Sequence, residues 1–245
     1  MLSRSMVSSM FQIYAFKAID MPDACQEFIQ GHAEVLTSHG ITKLTSLDYS
    51  WLNDPNVYVI AVKDMLSSEM VAGGRIHLTD LQLRTALPLE NALASFGDDV
   101  SLCIDQNLEI TGKKAAETCA LWSAKKASGR GLGSLVCRAM VVRSGVVLAN
   151  QLGIGTLLTL SAPWTVKLSQ NLGYRVETSV GNKGTYPYPK PDLLATLQKI
   201  SDIDALAYAS EISRQDIYSL RRNPVQEKLE TYRSGQFKIS YNLEL

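Results

Sequence analysis

The 245-residue sequence predicts an α/β protein, and three observations carry that prediction. The run Ala127-Ser128-Gly129-Arg130-Gly131-Leu132-Gly133-Ser134 stands between an apolar stretch, Cys119 to Ala124, and a long apolar helical pattern reaching about Leu152. Val57 to Val62 and Met70 to Leu78 read as two strands joined across a short polar link at Ser67 and Ser68. Phe237, Ile239, Tyr241, Leu243 and Leu245 alternate with polar residues, so the last segment is a strand that folds back on the sheet.

Taken in order, Phe11 to Ala18 forms a first strand. A helix then starts at Asp20, Pro22 and Asp23 and stops at Gly40, with Cys25, Phe28, His32, Val35 and His39 on one side. Ile41 to Pro55 is read either as a short helix or as a loop over the site. After the hairpin, Pro88 starts a short helix through Ala94, and the chain is irregular around Gly97-Asp98-Asp99. Glu117 to Lys125 is the fourth strand. In the helix behind the glycines, Leu135, Val142, Val146, Ala149 and Leu152 share one face. Ile154 to Leu160 is apolar enough for a buried strand. Ser161 and Pro163 open another helix that Gly173 closes, and Tyr174 to Glu177 is a strand. Helical patterns follow at Asp192 to Ile200 and at Ile203 to Arg222, interrupted by Pro224.

Composition removes several classes of function. Lysine plus arginine and aspartate plus glutamate number 24 each, so no global charge steers the chain to nucleic acid or an anionic membrane. The four cysteines, Cys25, Cys103, Cys119 and Cys137, lack CxxC spacing and the three histidines are scattered, which suggests neither a zinc site nor a disulfide framework and fits a cytoplasmic protein. Residues 1–10 have no apolar core of signal-peptide length and are expected to be a disordered leader. No apolar run approaches the roughly 18 residues of a membrane span.

The glycine turn is the sharpest chemical signal. Alternating glycines leave successive backbone N–H groups unshielded, and the helix N-terminus behind them adds about half a positive charge, so the turn suits a phosphate. The Walker pattern GxxxxGK[ST] is absent, and Gly129-x-Gly131-x-Gly133 has neither the spacing nor the distal acid of a dinucleotide fingerprint.

The order strand, helix, hairpin, strand, glycine turn, helix, apolar strand, helix ending in Leu172-Gly173-Tyr174, strand resembles that of the GNAT superfamily of N-acyltransferases. Ser128-Gly129-Arg130-Gly131-Leu132-Gly133 is similar to that family's Gln/Arg-x-x-Gly-x-Gly/Ala turn, with Ser128 where glutamine or arginine is usual. The resemblance implies a mixed, mostly antiparallel sheet of about seven strands with helices on both faces, parallel only where the fourth and fifth strands splay. It covers residues 11–177 with 236–245 added, leaving 178–235 as a helical insertion that covers the acceptor or forms a homodimer contact. It also implies that amides from Gly129 to Ser134 hold the pyrophosphate of acetyl-CoA or a longer acyl-CoA, and that Ser123 and Ala124 offer main-chain groups to pantetheine. Ser169 occupies the place of the family's thiolate-protonating tyrosine, so that role is not carried over. A narrower likeness, in Gly73-Gly74-Arg75-Ile76-His77, Pro88-Leu89-Glu90 and Glu117-Thr118-Cys119, is to the branch that makes N-acyl homoserine lactones and N-acyl amino acids. It raises a fatty acyl donor, delivered on acyl carrier protein, as the alternative.

Acyl transfer to a small-molecule amine needs a proton acceptor, and Glu117 is the first choice, with Cys119, Leu121 and Ser123 on its face by the two-residue period and Trp122 on the other. Arg75 on the neighbouring strand either orients Glu117, binds a carboxylate of the acceptor, or forms a cross-strand ion pair with no catalytic task. His77 reads as a proton relay or, more often for its kind, a solvated strand-end residue, and His32 as a half-buried one. Cys119 has no histidine placed to activate it. Trp51, Tyr49 and Trp164 are read as pocket walls or as core.

Overall fold

The structure, a computed structural model, describes residues 10–41, 49–145 and 154–244. Residues 1–9 of the expected leader, residues 42–48 and the expected continuation of the long helix through 146–152 lie outside the described residues. Within them, ten strands form one sheet: β1 (Met10–Lys17), β2 (Val57–Asp64), β3 (Met70–Leu78), β4 (Lys114–Ser123), β5 (Ile154–Ser161), β6 (Arg175–Val176), β7 (Thr185–Pro187), β8 (Leu194–Ile200), β9 (Val225–Tyr232) and β10 (Gly235–Asn242). Their order is β6-β8-β5-β4-β3-β2-β1-β10-β9, with β7 on β8. The α/β class with a mostly antiparallel sheet is as expected, whereas the strand count is ten and not about seven. A second parallel pair, β1 with β10, joins the expected β4 with β5.

Helices cover both faces: α1 (Pro22–Ser38), α2 (Pro88–Leu93), α3 (Asp99–Thr111), α4 (Leu132–Ser144), α5 (Val166–Asn171) and α6 (Glu211–Arg222). Helix α1 takes Pro22 at its first position, where the missing N–H costs nothing, and buries Cys25, Phe28 and His32. That stripe packs with Trp51 and Trp122 on one side of the sheet. Helix α4 lies on the other side between the sheet and α6, which is why it is buried nearly all round; Val136 and Met140 approach β3 so closely that Gly74 has no room for a Cβ.

Of three departures, two share one physical cause, tertiary pairing overriding local pattern, and the third is set by a local cap. Residues 192–200, expected helical, contain β8, because the free edge of β5 takes Leu194–Ile200 as its antiparallel partner. The pattern at Ile203 to Arg222 becomes a helix only from Glu211, where the Ser210 hydroxyl accepts the Ser213 amide. Val225–Tyr232 pairs with β10 as an edge strand of alternating charge that carries little apolar signal. Residues 178–235 thus supply three strands and one helix. The irregular stretch after Gly97 leads directly into α3, closed by Gly112 in the left-handed region at φ +63°.

Candidate active site

The site grows from the divergence of β4 and β5. Their parallel ladder runs from Lys114 with Ile154 to Glu117 with Leu158 and stops there, although β4 stays paired to β3 as far as Ser123 and β5 to β8 as far as Ser161. The fork is pinned at its base by Thr159 Oγ1 donating to the Thr118 carbonyl at 2.9 Å, and Thr118 Oγ1 lies 2.8 Å from the Tyr174 hydroxyl. Beyond it opens a cleft of about 1180 Å³ whose walls include both diverging strand ends.

Glu117 sits at the fork and faces this cleft, although only 3% of it is exposed. Helix α2 reaches it end on: Pro88 has no N–H, so the Leu89 amide is the first donor of that turn, and it donates to Glu117 Oε2 at 2.8 Å. Glu90, paired with Arg84 at 2.8 Å and accepting the Leu87 amide, holds the turn in place. Burial pushes the Glu117 carboxyl up to about 8, against the lowering pull of the Leu89 amide and of the Arg75 guanidinium.

Arg75 lies on the adjacent antiparallel strand, opposite Cys119, while His77 is opposite Glu117. Its guanidinium stacks 4.4 Å from the Trp51 ring centroid and is almost wholly buried. It stands behind the cleft wall, which removes the reading in which it meets an acceptor carboxylate; its field on Glu117 remains. Buried His77 is no solvated edge residue, and burial with the Arg75 charge holds it well below the usual histidine range. The same causes lower His32, which does line the cleft, to about 4. Burial pushes the Cys119 thiol up to about 12. Trp51 is core, whereas Trp164 lines the cleft and Tyr49 is exposed.

One expected parity is reversed. Between Arg75 with Cys119 and Gly73 with Trp122 the register slips by one residue, and Ala120 takes a left-handed φ of +50°. This bulge turns Trp122 to the face of Glu117 and Cys119, where it packs edge-on against Phe28 and fills the space above Gly31, and sends Leu121 to the α4 side. A two-residue period cannot foresee a bulge, and no residue type in Cys119-Ala120-Leu121 signals one.

At the far end of the cleft, Gly129 and Gly131 are both left-handed, at φ +78° and +71°. They turn the chain so that α4 points its first amides outward: among the described residues those of Gly131, Leu132, Gly133 and Ser134 have no backbone acceptor. Ser123, Ala124, Ser128, Gly129, Gly131, Leu132, Gly133 and Ser134 all border the cleft. Arg130 does not; its guanidinium turns away to Phe11 and to Asp64, 3.9 Å off. Ser169 borders it too, its hydroxyl 3.3 Å from that of Ser161. The sequence reading missed the tip of the β9–β10 hairpin, Tyr232-Arg233-Ser234, which packs on the glycine turn. A Cβ on Gly131 would run into the Tyr232 ring, and Ser234 Oγ donates to the Gly129 carbonyl at 2.7 Å. Gly235 after two polar residues is the one signal that could have marked this turn.

Among the described residues no helix is long and apolar enough to cross a membrane, and no three histidine, cysteine or acidic side chains are grouped to hold a metal. No family model and no curated protein sequence matches the chain. Solved structures do. FeeM, an N-acyl amino acid synthase from uncultured soil microbes, superimposes with a TM-score of 0.58 at 15% identity, over 85% of this chain and 99% of its own. Escherichia coli ElaA gives 0.50 at 10% identity over 77% and 99%, and BjaI, a CoA-dependent acyl-homoserine lactone synthase, 0.48 at 11% over 87% and 90%. The forked β4 and β5, the glycine turn before α4 and the likeness to FeeM together establish that the chain has the GNAT fold.

Proposed function

We propose that the chain transfers an acyl group from an acyl-CoA thioester to the amine of a small molecule by direct attack. One observation carries the reading: a buried carboxylate at the strand fork, which burial pushes up to about 8, and a turn of outward-facing amides at the far end open onto one cleft. The amides suit the donor's phosphates, and unpaired backbone beyond Glu117 suits the amide-bearing pantetheine arm. The neutral amine attacks the thioester carbonyl, Glu117 takes the amine proton, the C–N bond forms and the C–S bond breaks. The thiolate then takes a proton from water or from a substrate ammonium, since Ser169 is a poor acid. Cys119, held as a thiol by burial, argues against an acyl-enzyme. Arg75 acts on Glu117 from behind the wall as a positioning residue.

A second donor is favoured by the likeness to FeeM, described as an N-acyl amino acid synthase, and by an apolar wall of Val35, Leu36, Leu89, Leu160 and Leu193. On that reading a fatty acyl chain arrives on acyl carrier protein and the acceptor is an amino acid-like amine. Thiol release from acetyl-CoA, a long-chain acyl-CoA and a long-chain acyl carrier protein, each with a panel of amines, tests both. Amine-dependent release identifies donor and acceptor. Tight donor binding with no release by any amine would replace the enzyme with a non-catalytic acyl-CoA-binding module.

A further inference from the structure

The turn that would hold the donor lacks a side-chain cation where its sequence pattern expects one. Ser128 stands at that position, Arg130 is directed to Asp64 and Phe11, and Lys126 is paired with Glu69. The remaining cations bordering the cleft at this end are Lys125 and Arg233, and among the described residues neither forms an ion pair. Arg233 comes from more than a hundred residues away along the chain, at the two-residue turn between β9 and β10.

That turn is seated firmly. Ser234 is bonded to the Gly129 carbonyl and Tyr232 lies over Gly131. Behind it, Arg138 on α4 bonds Asp216 of α6 at 2.5 Å, Glu230 of β9, and the Tyr241 hydroxyl of β10 at 2.8 Å. The helix whose first turn faces the cleft therefore also clamps the hairpin whose tip flanks that turn. An arginine so placed has a defined position relative to the outward amides, and its five donors in a rigid fork match phosphate oxygens.

We propose that Arg233 is a phosphate ligand of the thioester donor, supplied by the terminal hairpin in place of the residue missing at Ser128. This rests on the acyl-CoA reading above and adds to it the group that fixes the donor's phosphates. The ligand chemistry is a phosphate ester or pyrophosphate, and the donor carries both.

Calorimetric titration of the full chain and of Arg233→Ala with CoA, dephospho-CoA and pantetheine tests the assignment. Arg233 is exposed, so the variant keeps its fold, which unfolding temperature verifies. The proposal expects CoA to bind the variant about tenfold more weakly, with a shallower salt dependence, and pantetheine to bind both proteins alike. A penalty kept with dephospho-CoA assigns the contact to the pyrophosphate; a penalty lost assigns it to the 3′-phosphate. Equal CoA affinity in the two proteins, or an equal loss with pantetheine, overturns the role of Arg233 while leaving the acyl-CoA reading intact. Failure of the unaltered protein to bind CoA at all overturns both.

Discussion

Glu117 is a carboxylate whose surroundings disagree about its charge. Burial favours the protonated form, while the Leu89 amide and Arg75 favour the anion, and burial wins. Glu117→Gln is isosteric and keeps an acceptor for Leu89, so the fold should persist while turnover falls about a hundredfold. In the unaltered protein, turnover should rise with pH through about 8 as the base loses its proton, and the variant should lose that limb. The same residue sets a stability trend. Its carboxyl titrates higher folded than unfolded, so its contribution is complete below the unfolded value and is lost as pH climbs through about 8. Denaturant unfolding should accordingly show the variant gaining on the unaltered protein between pH 5 and 8; parallel curves would refute the burial argument. The placement of Glu117 and Arg75 on adjacent strands was legible in the sequence, because strand periodicity and the expected antiparallel pairing agreed on it. The face that Trp122 takes was not, because one left-handed alanine, Ala120, resets the alternation.

At the level of the element, the turn before α4 separates two glycines of unlike duty. Gly131 combines φ +71° with a Tyr232 ring where a Cβ would go, whereas Gly133 has a helical backbone and open space around it. Gly131→Ala should cost about 1–3 kcal/mol in chemical denaturation and loosen the hairpin tip. Gly133→Ala should leave stability within about 0.5 kcal/mol, so any loss of donor affinity it causes is a loss of access to the amides. Elements bounded by glycine, proline or a run of apolar residues were readable: α1, the β2–β3 hairpin, the turn and β5. Those defined by a distant partner were not. Leu194–Ile200 has a pattern a helix could also use, and only the open edge of β5 decides it; the charges of β9 give an edge strand the look of a solvated segment.

At the scale of the molecule, one sheet carries everything, and its two ends are joined to the site differently. Towards one end, Leu193 just before β8 and Ala195 within it shape one wall of the cleft, while at the other the β9–β10 hairpin is held over the glycine turn through Arg138. Arg138→Ala should lower stability by about 3 kcal/mol in urea unfolding, since it leaves Glu230 without its cation in a largely enclosed place, while Asp216 keeps Lys228. It should also weaken CoA binding without touching the cleft; unchanged affinity would mean that the tip keeps its place unaided. Sequence order alone left the closing strand's neighbour open, since alternation says that a strand exists and not which edge receives it.

The parallel pairing of β1 with β10 unites Met10 with Lys238, residues far apart along the chain. Such a contact can form only after the intervening chain is available, and it carries a large loop-closure cost. On the ribosome, then, the glycine turn emerges long before Tyr232 and Ser234 that roof it, and β1 waits for this neighbour until the chain has grown past Lys238.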